Sequence, residues 1–347
     1  MHSTDPRYLN TGQEICAMTV TSLLILLLSG FFICCPAQNN IEPANQQASA
    51  EARKVLDYLK TIQGNKMLAG HHVMYGRLKD RDLGYIAETT GKYPALIEFE
   101  AGIFARKYHE DYTSVQKQLV TDAIAYWKAG GLIAVCWHWA NPLESMNTYP
   151  GTKVKFDIEA AFKEGTPEHK AMIKDLDVTA EMLKELRDAN VPVLWRPLHE
   201  ICGGWFWWSM QGQENAERLW TFIYAYYTEH HKLNNLIWVY SFSQEMRTDW
   251  LPAMDCIDVV GVDIYREGQQ DQRKNFDTVS SVAGTRPVAL SECDAIPDPD
   301  VMKERGFMWN WFTTWHGRWL RKNDPGYLKR IYNHDLVITR DELPNCK

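Results

Sequence analysis

The sequence has no excess of positive charge: 37 Lys and Arg stand against 44 Asp and Glu, a net charge of −7. A nucleic-acid partner calls for a basic face or stripe, so that class is set aside. No CxxC pair is present, which removes the usual spacing of a structural zinc site. No GxGxxG turn follows any strand-like run, which argues against a dinucleotide-binding open sheet. Past residue 47 there is no repeat and no low-complexity tract to divide the chain. Cysteine is sparse: of eight, Cys16, Cys34 and Cys35 lie in the leader, leaving Cys136, Cys202, Cys256, Cys293 and Cys346. An odd number makes buried free thiols the expectation, with one disulfide open and its pairing unreadable.

What the chain does have begins with TVTSLLILLLSGFFIC, residues 19–34, an apolar run without charge. Cys35-Pro36-Ala37 then supplies small residues before Gln38, which reads as a secretory signal over residues 1–37. The preceding stretch carries Asp5, Arg7 and Glu14 rather than a positive region, so Met18 is an alternative start. Acylation at Cys34 or Cys35 is disfavoured, because Ile33 or Cys34 would occupy the small-residue position. Export to the periplasm or the medium is therefore expected, with no membrane span left after processing. Residues 38–50 read as a polar linker and 51–340 as one catalytic domain, expected to be a monomer.

That domain alternates short apolar runs with helical stretches. Strands are predicted at 66–72, 93–102, 132–139, 191–200, 236–243, 256–265, 286–294 and 307–315. Helices are predicted near 80–91, 112–129, 170–189, 214–232 and 325–333. Continuous apolar strands suit a parallel sheet buried on both faces. Eight βα units in about 300 residues predict an α/β fold of the (β/α)8 TIM-barrel type. Nearly every predicted strand ends in a side chain able to bind or react: His71 and His72, Glu98 and Glu100, His138, His199 and Glu200, Asp263 and Tyr265, Glu292, Trp315. The C-terminal strand ends are where such barrels build their sites.

Two carboxylates stand out. Glu200 lies in WRPLHEICGGWFWW, among Trp and Leu, and Glu292 ends VALSE on a strand across the barrel. A carboxyl pair flanking a ligand is the equipment for glycosidic bond cleavage, one protonated and one ionised. An apolar setting makes Glu200 the candidate acid. Glu292, with Tyr265 donating a hydrogen bond to it, is the candidate nucleophile. Sugar rings stack their C–H faces on flat aromatics, so Trp205 is a candidate platform and Trp315 a candidate floor. Trp207 and Trp208 are expected to pack around the loop. His138 and His199 are candidate donors to sugar hydroxyls. A metal-dependent hydrolase is disfavoured, since the adjacent His71 and His72 point to opposite faces of their strand and strand five ends in Ser and Gln rather than His or Asp. No metal and no cofactor is expected.

WRPLHE followed by GGWFWW resembles the acid/base motif of glycoside hydrolase family 26, best known for β-mannanases, in which His precedes the glutamate. LAGHHVMYG, CWHWANP, VDIY, LSE and TWHG are similar to the family pattern and stand in the same order, over about residues 55–335. The resemblance implies a (β/α)8 barrel and a retaining double displacement, with Glu200 as acid/base, Glu292 as nucleophile and Tyr265 bonded to the nucleophile. It implies sugar contacts at His138, His199, Trp205 and Trp315, and no catalytic metal. The expected substrate is β-mannan, glucomannan, galactomannan or manno-oligosaccharides, cut within the chain. Two other readings stay open: hydrolysis of another β-glycan, such as a β-1,3-xylan or mixed-linkage glucan, and a non-catalytic mannan-binding protein. The chain departs from the family pattern at Ile201-Cys202, where Met-Asn is usual.

Overall fold

The apolar runs become parallel strands because their side chains can be buried on both faces at once. A computed structural model describes residues 42–73, 81–102, 112–144, 149–265 and 272–344. The strands are β1 (Met67–His72), β2 (Leu96–Glu100), β3 (Leu132–Cys136), β4 (Val193–Arg196), β5 (Leu236–Phe242), β6 (Val259–Ile264), β7 (Val288–Cys293) and β8 (Trp311–Thr314). Each pairs in parallel with the next, and β1 pairs with both β2 and β8, so the sheet closes as the predicted TIM barrel. A two-residue β9 (Val337–Ile338) adds to β1 beside Met67 and Leu68. All eight long strands are buried along their whole length.

The helices are α1 (Ala50–Ile62), α2 (Arg81–Thr90), α3 (Tyr112–Lys128), α4 (Ile158–Ala161), α5 (Pro167–Asp188), α6 (Gln213–Ala225), α7 (Arg273–Ala283), α8 (Pro299–Glu304) and α9 (Pro325–Tyr332). Their starts follow capping chemistry. At α5 the Thr166 hydroxyl accepts from the His169 amide, and Pro167 fills the first turn, where an N–H would have no partner. Met172, Leu176, Ala180, Leu183 and Leu186 then recur every three or four residues and are fully buried. Each buried Met or Leu among them contributes roughly 1.5–3 kcal/mol by leaving water. Among the described residues, no helix is long and apolar enough to cross a membrane.

Two expectations are corrected. The stretch read as a polar linker packs on the barrel over residues 42–49. The Ala44 amide donates to Asp258 Oδ1 at 2.8 Å, and the Ser49 amide to the Asn234 carbonyl at 2.7 Å. Ser49 then caps α1, whose Val55, Leu56, Leu59 and Ile62 form an amphipathic stripe buried in the core. All the long strands except β1 also end earlier than predicted. β4 stops at Arg196 because Pro197 has no amide to continue the ladder, so His199 and Glu200 sit in the following turn. The signal segment and Cys346 lie outside the described residues. Cys136, Cys202, Cys256 and Cys293 are buried free thiols.

Candidate active site

The C-terminal ends of β1 to β8 bring their polar side chains to one mouth. Side chains two apart on a strand share a face, so Leu96, Glu98 and Glu100 all point the same way. Glu98 and Glu100 are both buried there. Such charges demand partners. Arg196, at the end of β4, is the hub. Its Nε and Nη2 reach the two oxygens of Glu98 at 2.9 and 3.0 Å, its Nη1 reaches Asp263 at 2.9 Å, and Nη2 also reaches Glu292 Oε1 at 2.6 Å. The guanidinium fork serves three carboxylates from β2, β6 and β7 at once. Ser241 adds a hydroxyl donor to Asp263 at 2.8 Å.

Glu292 is aimed by an irregularity in β7. Val262 pairs with Leu290, yet Asp263 pairs with Glu292, so Ser291 is an extra residue in the ladder. A bulge of this kind turns the following side chain to a new direction. Gly261 makes room for it, since a Cβ there would lie 1.9 Å from the Ser291 hydroxyl. The second oxygen of Glu292 accepts from the Tyr265 hydroxyl at 2.6 Å. Tyr265 keeps its proton, because burial and then the Glu292 charge push its pKa well above the usual phenol. Glu292 thus accepts a cationic bond on one oxygen and a neutral one on the other.

Glu200 has a different setting. Its backbone adopts φ +50°, a left-handed conformation unusual for a side chain of this size. The chain then folds back through Gly203 and Gly204, and Trp205 Nε1–H donates to Glu200 Oε2 at 2.7 Å. Gly203 has to lack a side chain, since a Cβ would lie 2.5 Å from the Trp205 ring. Burial, and next the charge of Glu292, raise the Glu200 pKa to about 7. An indole N–H can only donate, so Oε2 is an acceptor and the proton of the neutral acid belongs on Oε1.

The aromatic and imidazole groups surround this pair. Trp315 stacks on the His72 ring at 3.8 Å and lies 5.6 Å from the His138 ring. His138 Nδ1 is 2.6 Å from Glu100 Oε2, and its Nε2 is 3.0 Å from His199 Nε2. Trp205 and Trp315 are half-buried, each with surface left for a ligand. Trp207 and Trp208 are fully buried and pack the loop, as expected; their indoles donate to the carbonyls of Trp139 and His199. Cys202, the departure from the family pattern, is buried with its sulfur 3.3 Å from the Ser243 hydroxyl and 3.7 Å from the Glu245 carbonyl. Its thiol ties the Glu200 loop to the segment after β5.

The sequence matches glycosyl hydrolase family 26 over residues 44–342. This chain belongs to that family. Among its relatives, a mannan endo-1,4-beta-mannosidase of Thermothelomyces thermophilus is 33% identical over 86% of this family 26 chain and 62% of that protein. The mannan endo-1,4-beta-mannosidases A and B of Piromyces sp are 33% and 32% identical over 50% and 53% of their lengths, so this chain spans roughly half to three fifths of these relatives. A mannan endo-1,4-beta-mannosidase of Bacillus subtilis is 26% identical over 94% of this chain and 96% of its own. The crystal structure of a beta-mannanase from a protist symbiont of the termite Reticulitermes speratus, complexed with gluco-manno-oligosaccharide, shares 32% identity with a TM-score of 0.77, covering 87% of this chain and 97% of that one.

In the family 26 barrel the seven candidate residues fall into three contacting groups: Glu200 with Trp205, Glu292 with Tyr265, and His138 with His199 and Trp315. Arg196 was missed as a candidate, as were the roles of Glu98, Glu100 and Asp263. The available signal was a guanidinium inside the buried run VLWR. Among the described residues, two groups of side chains, His72–Glu98–Cys136 and Glu100–Cys136–His138, have ligand atoms close enough together for a cation. Glu98 is already gripped by Arg196, and Glu100 by His138 and two backbone amides.

Proposed function

We propose that this chain is an exported, endo-acting β-1,4-mannanase that cleaves mannan, glucomannan or galactomannan with net retention. The observation that carries the proposal is the unequal pair of carboxyl groups. Glu200, with its pKa raised to about 7, keeps its proton well above the pH at which an ordinary carboxyl loses it, while Glu292 is held by Arg196 and Tyr265. That is the division of labour a retaining glycosidase needs. Names of relatives support the polysaccharide, above all the B. subtilis enzyme matched over nearly its whole length.

In the first step Glu200 Oε1 gives its proton to the glycosidic oxygen, and a Glu292 oxygen attacks the anomeric carbon. The bond to the leaving sugar breaks and a glycosyl ester forms. In the second step the Glu200 carboxylate takes a proton from water, whose oxygen displaces Glu292 from the same carbon. Two inversions give retention. Trp315 and Trp205 offer apolar faces to the rings, while both ring nitrogens of His138 are taken by Glu100 and His199, so His138 positions His199 instead of meeting a hydroxyl itself as expected. Residues 1–37 would direct export.

Proton NMR of the first products from a manno-oligosaccharide tests the mechanism. The β anomer should form first; an initial α anomer would exclude double displacement. Glu200→Ala and Glu292→Ala should each lower activity by several orders of magnitude with folding unchanged. Full activity in either would sink the assignment.

A further inference from the structure

Glu100 is bonded more heavily than its place beside the carboxyl pair would require. Its Oε1 accepts from the amides of Gly102 and His138 at 2.9 and 3.0 Å, and its Oε2 from the Cys136 thiol at 3.3 Å and from His138 Nδ1 at 2.6 Å. A carboxyl group with four donors has no place for a proton of its own, so His138 Nδ1 carries one. On the far side of the ring, His138 Nε2 and His199 Nε2 lie 3.0 Å apart. Two nitrogens at that separation share one proton. It sits either on His138, which is then a cation, or on His199, which leaves both rings neutral.

We propose that Glu100 is a positioning residue that keeps His138 as the imidazolium, so that His138 donates to His199 and confines the single proton of His199 to Nδ1. Burial by itself would neutralise His138, but the adjacent Glu100 carboxylate outweighs it and holds the imidazole above its ordinary value. Burial would likewise raise Glu100, yet His138 draws it down to about 2. Burial and then the His138 charge press His199 well below its ordinary value, so the shared proton stays on His138. The net directions for all three groups favour the same assignment. Two things follow. His199 Nδ1, which is buried and has no hydrogen-bond partner, is a donor and accepts nothing. The cation also eases ionisation of Glu200, whose pKa it lowers.

The test is 15N NMR of the full chain labelled at histidine, at neutral pH and without substrate. The expected spectrum shows both ring nitrogens of His138 protonated, and His199 neutral with its proton on Nδ1. In Glu100→Gln the backbone amides hold the amide oxygen, the NH2 group faces His138 Nδ1, and His138 loses that proton and its charge. Glu100→Asp restores them. A neutral His138 in the unmodified protein, or a cationic one in Glu100→Gln, overturns the proposal. The spectrum of the unmodified protein is decisive even where variants fold poorly, and it needs no turnover, so it stands apart from the mannanase reading. The proposal rests on that reading for its effect on rate: Glu100→Gln should move the alkaline limb of the pH profile upward, because Glu200 loses a nearby positive charge.

Discussion

Replacing Glu200 by glutamine should stabilise the protein in alkali and change it little in acid. The carboxyl pKa rises from 4.5 to about 7, first through burial and then through the charge of Glu292. At about 1.4 kcal/mol for each tenfold, ionising Glu200 inside the fold costs about 3 kcal/mol more than ionising it in the unfolded chain. The sign follows from which state binds the proton better. A raised pKa in the fold costs nothing below the unfolded value, where both states are protonated; the penalty grows as pH climbs through 4.5 towards 7 and is nearly complete at about pH 8. Glutamine keeps an oxygen for Trp205 and never ionises. Urea unfolding at about pH 5 and about pH 8 should show Glu200→Gln gaining roughly 2 kcal/mol more stability at the higher pH. An equal difference at both values would mean that Glu200 is not held protonated by the fold, and the assignment of the acid would lose its physical basis.

Arg196→Met leaves Glu98, Asp263 and Glu292 without their shared cation and should cost at least about 3–5 kcal/mol, read as a lowered urea midpoint. Arg196→Lys should recover only part of that loss, since an ammonium cannot fork to three carboxylates; full recovery would show that charge alone suffices. Tyr265→Phe removes the neutral donor on Glu292 and should lower kcat on the order of a hundredfold with folding intact; unchanged kcat would remove Tyr265 from the mechanism. Trp205→Phe deletes the N–H that favours ionised Glu200, so the alkaline limb of kcat/KM should shift upward. Gly203→Ala should shift the limb the same way by displacing the Trp205 ring, and a downward shift in either would contradict the assigned bond.

The barrel was legible because its strands are buried on both faces and so carry an unbroken apolar signal. The proximity of Glu200 and Glu292 to one mouth was legible because glutamates stood at or just past the ends of two such runs. Strand ends were less so, since Pro197 and the turn through Glu200 cut β4 short of where the predicted run ended. Arg196 was overlooked inside WRPLHE, although a guanidinium in a buried run can be tolerated only where several carboxylates converge. The stripe of α1 was present in the sequence, but the polar residues before it suggested a linker, and only closure of the barrel puts Asp258 within reach of Ala44. The Ser291 bulge and the Glu100–His138–His199 chain were not legible. Both depend on register between strands, and no single segment encodes it.

Release of reducing ends from a panel of purified polysaccharides tests the central claim most directly. The account predicts that β-1,4-mannans are cut within the chain, with glucomannan or galactomannan also cleaved and no release by Glu200→Ala. Preferential cleavage of a β-1,3-xylan or a mixed-linkage glucan, or binding of mannan without release of product, would contradict it.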